Sequence, residues 1–142
     1  MIESVAAWER ATNGVVARQS PDGSWRWRPD AKHAPLGKAG DTTSGMVARS
    51  ACNLLREAIV TGNRKHIAAG LKALRFLDRY SIPTGAQEWE CPIYAPDVLA
   101  AAYAVRAFVL AHEITGEAAY LERATFWAKT GIPFNYLWDR GE

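Results

Sequence analysis

Two cysteines in 142 residues, Cys52 and Cys91, are too few for a disulfide scaffold or a cysteine-rich zinc site. Both read as free thiols, Cys52 on a helix among apolar neighbours. The three histidines, His33, His66 and His112, show no ligand spacing with either cysteine, so no metal is expected. An excess of one charge is equally scarce. The formal net charge is +2 and the Lys and Arg residues are scattered, which argues against nucleic acid as a partner. No apolar run approaches the roughly 20 residues of a membrane helix, so no membrane partner is expected. The longest, Val98 to Ala111, is broken by Arg106. Met1-Ile2-Glu3-Ser4 carries an acid where a secretory signal carries bases, so no export signal is expected and the compartment stays unassigned. No Gly-rich phosphate cradle or Ser-nucleophile elbow is visible, and no cofactor is expected. An apolar share of 49% at this length fits one globular domain over residues 1–142.

Against these absences stands one periodic feature. Thr61-Gly62 and Thr115-Gly116 each lie between two helical stretches, and 116 − 62 gives a repeat of 54 residues. A period of about 40 to 55 residues with two helices per unit reads as stacked helical hairpins. Five helices are predicted. The first spans Glu3 to Arg18, with Val5, Trp8, Ala11, Val15 and Val16 as a rough apolar stripe. The second spans Thr43 to Val60, with Asp41, Thr42 and Thr43 as N-cap candidates and Gly62 as the stop. The third spans Arg64 to Tyr80 and turns Ile67, Leu71, Leu74 and Leu77 to one face. The fourth spans Pro96 or Asp97 to Ile114, and the fifth Glu117 to Lys129.

The fourth helix is apolar on nearly every side, whereas the fifth keeps a polar face in Glu117, Glu122, Arg123 and Lys129. Such alternation predicts two layers, with the second and fourth helices inside. Arg106, mid-way along the fourth, should then be buried and met by an acid, as a structural ion pair, or by a ligand carboxylate. The connections alternate too. The Thr-Gly turns are tight, while Ser20 to Asp41 and Ser81 to Ala95 are long and rich in Trp, Pro and Gly, and Gly131 to Glu142 begins a third such segment. In an antiparallel array the long segments gather on one face, at the N-terminal ends of the inner helices. Long ordered loops on a rigid scaffold are where binding usually resides.

Gln19-Ser-Pro-Asp-Gly-Ser-Trp25 is similar to the Gln-x-x-x-Gly-x-Trp pattern of the terpenoid cyclase repeats, whose fold is an α/α toroid. The wider layout resembles the α/α-toroid carbohydrate enzymes, the six-hairpin glycosidases. It combines helical pairs, Thr-Gly turns and the Trp- and acid-bearing loop Gly85-Ala-Gln-Glu-Trp-Glu-Cys-Pro-Ile-Tyr-Ala-Pro-Asp97. The resemblance implies a ring of about a dozen helices, of which this chain supplies five, completed by further hairpins or by copies. It also implies a structural role for Gln19, Gly23 and Trp25, tying a loop to a helix end. The Asp-rich protonating motif of the cyclases is absent.

Glu88-Trp89-Glu90 is the sharpest chemical candidate. In extended backbone, Glu88 and Glu90 would share one side and Trp89 the other. Carboxylates beside indoles suit sugars: the ring stacks on the indole, one acid protonates the leaving oxygen and another acts as base or nucleophile. Asp41 and Asp97 fall at the same rim, though both also read as helix caps. Trp25, Trp27, Trp89 and Trp138 all lie in the long segments, with Tyr94 and Tyr136 beside them, and could line a sugar groove. At least two of the four indoles are expected to be packing alone.

The expected fold is all-α: antiparallel helical hairpins in two layers, a partial α/α toroid, with hairpins near 43–80 and 97–129. The expected function is that of a fragment or subunit of a carbohydrate-active toroid protein. It would bind an oligosaccharide and hydrolyse glycosides with Glu88, Glu90, Asp97 and Asp41 as candidate acids. One alternative is a non-catalytic helical-repeat module that assembles through its open flanks, as a homo-oligomer or with the missing hairpins. Another is a polysaccharide lyase, for which Tyr94, His33 and Arg26 or Arg28 would supply the base and the neutraliser.

Overall fold

The computed structural model describes residues 2–134, with side chains described from 7 to 133. Its five helices are α1 (Ile2–Ala17), α2 (Ser44–Thr61), α3 (Arg64–Leu77), α4 (Val98–Thr115) and α5 (Ala119–Gly131). Short 3₁₀ turns occur at Ala34–Leu36 and Ile132–Phe134, and no strand forms among the described residues. The chain is all-α, as its periodicity predicts.

The two Thr-Gly turns use one mechanism twice. Gly62 (φ 70°) and Gly116 (φ 75°) adopt the left-handed conformation that ends a helix, and their N–H groups donate to Ala58 O and His112 O. Each threonine hydroxyl donates back to the carbonyl four residues earlier, Glu57 O at 3.0 Å and Ala111 O at 2.8 Å. The hydroxyl oxygens of Thr61 and Thr115 in turn accept the N–H of Asn63 and of Glu117. The helix stops and the chain reverses within two or three residues. At the other end, Thr43 caps α2 by accepting from Met46 N, and Asp97 caps α4 by accepting from Leu99 N.

Two hairpins, α2–α3 and α4–α5, pack side by side with α2 against α4, and α1 lies across α2 and α3. Alanines dominate the seam: Ala48 and Ala51 from α2, Ala104, Ala107 and Ala111 from α4, all buried. Small side chains let the helix axes approach closely. Leu54, Leu55, Leu74, Phe108 and Trp127 fill the remaining space, each burial being worth about 1.5–3 kcal/mol. Gly70 has no room for a methyl group, because a Cβ there would lie 2.6 Å from Leu55.

Below the seam sits a buried polar pair. His66 at the start of α3 and Glu57 near the end of α2 are both fully buried and hydrogen-bonded through Nδ1 and Oε2. The other imidazole nitrogen meets Asn13 Oδ1 at 2.9 Å, which joins α1 to the hairpin.

Two expectations fail on α4. Arg106 is exposed rather than buried and has no acidic partner among the described residues. The helix is covered on the sides facing α2 and α5, but Val98, Ala102 and Arg106 look outward with Ile132 beside them. In addition, α4 is long and apolar enough by length and composition to cross a membrane, with 18 residues of mean hydropathy 1.4. Alanine and valine raise that mean without forming an unbroken run of large side chains. The buried stripe, Ala100 to Ala111, is an ordinary helix–helix contact.

Candidate functional site

The two described long segments meet at the N-terminal ends of α2 and α4. Ile93 N donates to Leu36 O at 2.9 Å, and Trp27, Met46 and Ile93 form a second small core between them. The Ser81–Ala95 segment is held on α2 by Ser44 Oγ, which accepts from Thr84 N at 2.9 Å, and by Thr43 Oγ1, which donates to Gly85 O. Gly45 N donates to Thr84 O at 2.8 Å. This approach is so close that a Cβ on Gly45 would lie 2.5 Å from Ala86 N. Gly85, at φ 67°, is confined the same way by Ile93 O.

Beside this junction lies a cleft of about 670 Å³. One wall is the face of α2 that carries Met46, Arg49, Ser50 and Asn53, spaced i, i+3, i+4, i+7. Trp25 to Asp30 and His33 form a second wall, the end of α1 contributes Arg18, and Glu88 and Trp89 close the rim. The second wall explains itself locally. Trp25-Arg26-Trp27-Arg28 runs extended, so the side chains alternate. Both indoles are buried (7% and 4% exposed) and both guanidinium groups face water. Trp27 is anchored by Asp41 O, which accepts from its N–H at 2.7 Å, and Trp25 Nε1 donates to Val15 O at 2.8 Å.

Glu88 is the one expected acid that lines this cleft. Its Oε1 accepts from Arg49 Nη2 at 2.7 Å, while Oε2 is shut off from water and has no hydrogen-bond partner. Burial pushes the Glu88 carboxyl above the ordinary carboxylate range, and the Arg49 guanidinium offsets this only in part. The expected extended geometry of Glu88-Trp89-Glu90 does not occur. Glu90 N and Cys91 N both donate to Gln87 O at 3.2 Å, so the segment is a turn. Glu88 therefore points to α2, Trp89 is half exposed at the cleft, and Glu90 is exposed outside it.

The aspartates go elsewhere. Asp97 gives Oδ1 to Leu99 N at 2.7 Å and Oδ2 to Ala86 N and Gln87 N, both at 3.0 Å, so its carboxylate is engaged by backbone on every side. Asp41 accepts from the Tyr94 hydroxyl, and this bond holds Tyr94 on the loop junction away from the cleft. Bonding to Asp41 pushes the Tyr94 hydroxyl above its ordinary range. Trp138 and Tyr136 lie outside the described residues. Gln19 donates to Gly23 O at 3.0 Å and to Ala69 O at 2.9 Å, which ties the loop to the middle of α3 rather than to a helix end. Gly23, at φ 98°, lies against the Lys72 carbonyl.

Among the cleft residues that carry no site expectation from sequence are Arg18, Arg49, Asn53 and Asp30. Arg49 and Asn53 read as the wet side of α2. Asp30 had a readable signal in Asp30-x-x-His33. Its Oδ1 accepts from the His33 backbone N–H at 2.9 Å and meets His33 Nδ1 at 2.6 Å. These bonds, the backbone one first, hold Asp30 below the ordinary carboxylate range. The cleft thus contains two carboxyl groups whose surroundings push them in opposite directions. Among the described residues no group of three or more His, Cys, Asp or Glu could hold a metal ion.

No protein-family model, curated protein or solved structure matches this chain.

Proposed function

We propose that the cleft binds an oligosaccharide and that the chain, as part of an α/α-toroid-like array, hydrolyses a glycosidic bond with Glu88 as proton donor. The observation that carries this reading is the state of the Glu88 carboxyl. It is a half-buried acid raised by desolvation, with one oxygen fixed by Arg49 and the other closed off without a partner. A buried polar atom without a partner calls for an explanation, and a catalytic role is one. A change in the side-chain torsions before the carboxyl, rather than a two-fold turn of the carboxyl itself, would carry the protonated oxygen out of its closed position to the cleft. Asp30 complements it. Two carboxyl groups driven apart in pKa are the arrangement that lets one act as acid and the other as base or nucleophile. Trp89, 49% exposed at the rim, supplies the apolar face on which a sugar ring stacks.

Product analysis on a panel of oligosaccharides tests the proposal. New reducing ends should form, and Glu88→Gln should lower kcat by about 100- to 10,000-fold with little change in KM. Turnover within threefold of wild type in that variant would remove Glu88 from the chemistry.

A second reading keeps its own support. The groove between α4 and α5, about 300 Å³ and lined by Val98, Ala101, Val105 and Ile132, is an apolar surface that no other described residue covers. It favours an assembly module, completed by a second copy or by further hairpins. Self-association in light scattering, with no turnover on any glycan, would favour that reading over the enzyme. A lyase is supported less, since Tyr94 is held away from His33, Arg26 and Arg28. An ultraviolet-absorbing unsaturated product would nevertheless identify one.

A further inference from the structure

The lining of the cleft is net basic. Four arginines line it, Arg18, Arg26, Arg28 and Arg49, against two acids, Asp30 and Glu88. Taking those four from the 17 Lys and Arg, and those two from the 15 Asp and Glu, leaves 13 of each elsewhere. The lining by itself is formally +2, and +1 once Asp22, which pairs with Arg26, is counted. Ion pairs divide the four arginines. Arg26 is neutralised by Asp22 at 2.8 Å, Arg49 by Glu88 at 2.7 Å, and Asp30 is engaged with His33. Arg18 and Arg28 have no acidic partner among the described residues.

From this geometry we infer that the saccharide taken by the cleft is anionic, its negative groups received by the unpaired guanidinium groups of Arg28 and Arg18. The inference rests on the saccharide reading of the site and narrows it. Arginine's planar fork can donate two parallel hydrogen bonds to a carboxylate or a sulfate, so uronic acids and sulfated sugars share the required chemistry. Arg28 stands two residues before Asp30 on the same wall, so binding an anionic sugar there would set the chain's register relative to Glu88 and Asp30. A cleft with low-dielectric indole walls also focuses its field and draws anionic ligands in. The sequence shows scattered cations because Arg18, Arg28 and Arg49 come from three separate elements. Only folding collects them.

The test uses the full wild-type chain, in which Glu88 still pairs with Arg49, at low temperature to slow turnover, and follows Trp fluorescence. Tetramers of galacturonate, glucuronate and mannuronate are titrated, each beside its methyl ester, together with a sulfated tetramer beside its unsulfated neutral form. The expected result is saturable binding of at least one anionic tetramer, about tenfold or more tighter than its uncharged counterpart and weakened by salt. Arg28→Gln should lose about tenfold of that affinity while leaving the ester's binding and the far-ultraviolet circular dichroism unchanged. Arg28→Lys should recover part of it, since it restores charge without the fork. Whether the uronate or the sulfated tetramer binds more tightly names the anionic group. If the esters bind as tightly as the acids, the anionic inference falls while the saccharide site stands. If no tetramer of any kind binds the folded chain, both fall together.

Discussion

Replacing Asp97 by alanine should loosen the whole rim of the cleft without touching its lining. The Asp97 carboxylate accepts three backbone N–H groups: Leu99 at 2.7 Å, and Ala86 and Gln87 at 3.0 Å. Loss of a helix cap costs about 1 kcal/mol. Each of the other two bonds involves a charged acceptor and a part-buried donor, for which about 1.5–3 kcal/mol is typical, reduced where the freed N–H reaches water. A total of about 3–5 kcal/mol follows, a large part of the 5–15 kcal/mol that usually holds a domain together. At about 3–5 °C per kcal/mol for a chain of this size, the melting temperature should fall by roughly 10–20 °C. Asp97→Asn, which keeps one acceptor oxygen, should fall between wild type and alanine. Thermal melts by circular dichroism give these numbers, and amide exchange at Ala86 and Gln87 should speed up, because those N–H groups lose their acceptor. A melting temperature within 3 °C of wild type would refute the clamp. If Asp97→Asn instead keeps its stability and loses turnover while Glu88→Gln keeps it, the proton donor is Asp97.

Further outcomes follow from other contacts. Gly45→Ala on an exposed helix would stabilise by about 1 kcal/mol. Here the new Cβ meets the backbone of Ala86 and Thr84, so the sign reverses to roughly 2 kcal/mol of destabilisation, and a more stable variant in urea melts would contradict the close approach. His66→Ala leaves the fully buried Glu57 carboxyl without its partner, and breaking such a pair costs about 3–5 kcal/mol, read from the same melts. Its effect should exceed that of Arg56→Ala on the exposed side of α2. Glu88 gives a pH signature. Its folded value is raised by burial, so its contribution to stability is present below the ordinary carboxylate range and is lost as pH rises through the folded value. The stability of wild type relative to Glu88→Gln should therefore decline with rising pH in that window, and a rise would reverse the assigned cause.

The sequence alone carried the helices and their ends, because those depend on neighbours. Gly62 and Gly116 need only their own freedom at positive φ, and each Thr-Gly turn closes on carbonyls four residues away, so its meaning survives without tertiary context. Thr43 and Asp97 as caps are local in the same sense. The cleft is not local. Glu88 lies 39 residues from Arg49 in sequence, and nothing between them records that the Gln87–Cys91 turn would aim Glu88 at α2 and leave Glu90 outside. Arg106 was misjudged for the same reason: a periodic apolar pattern shows that a helix can be surrounded, while only the packed array shows which side has a neighbour. The raised Glu88, the lowered Asp30 and the two unpaired arginines all depend on which groups stand within a few ångströms through space. Desolvation and Coulomb terms act over such distances whatever the separation along the chain. Local backbone chemistry set the elements, and the burial and charge that make a site came from their assembly.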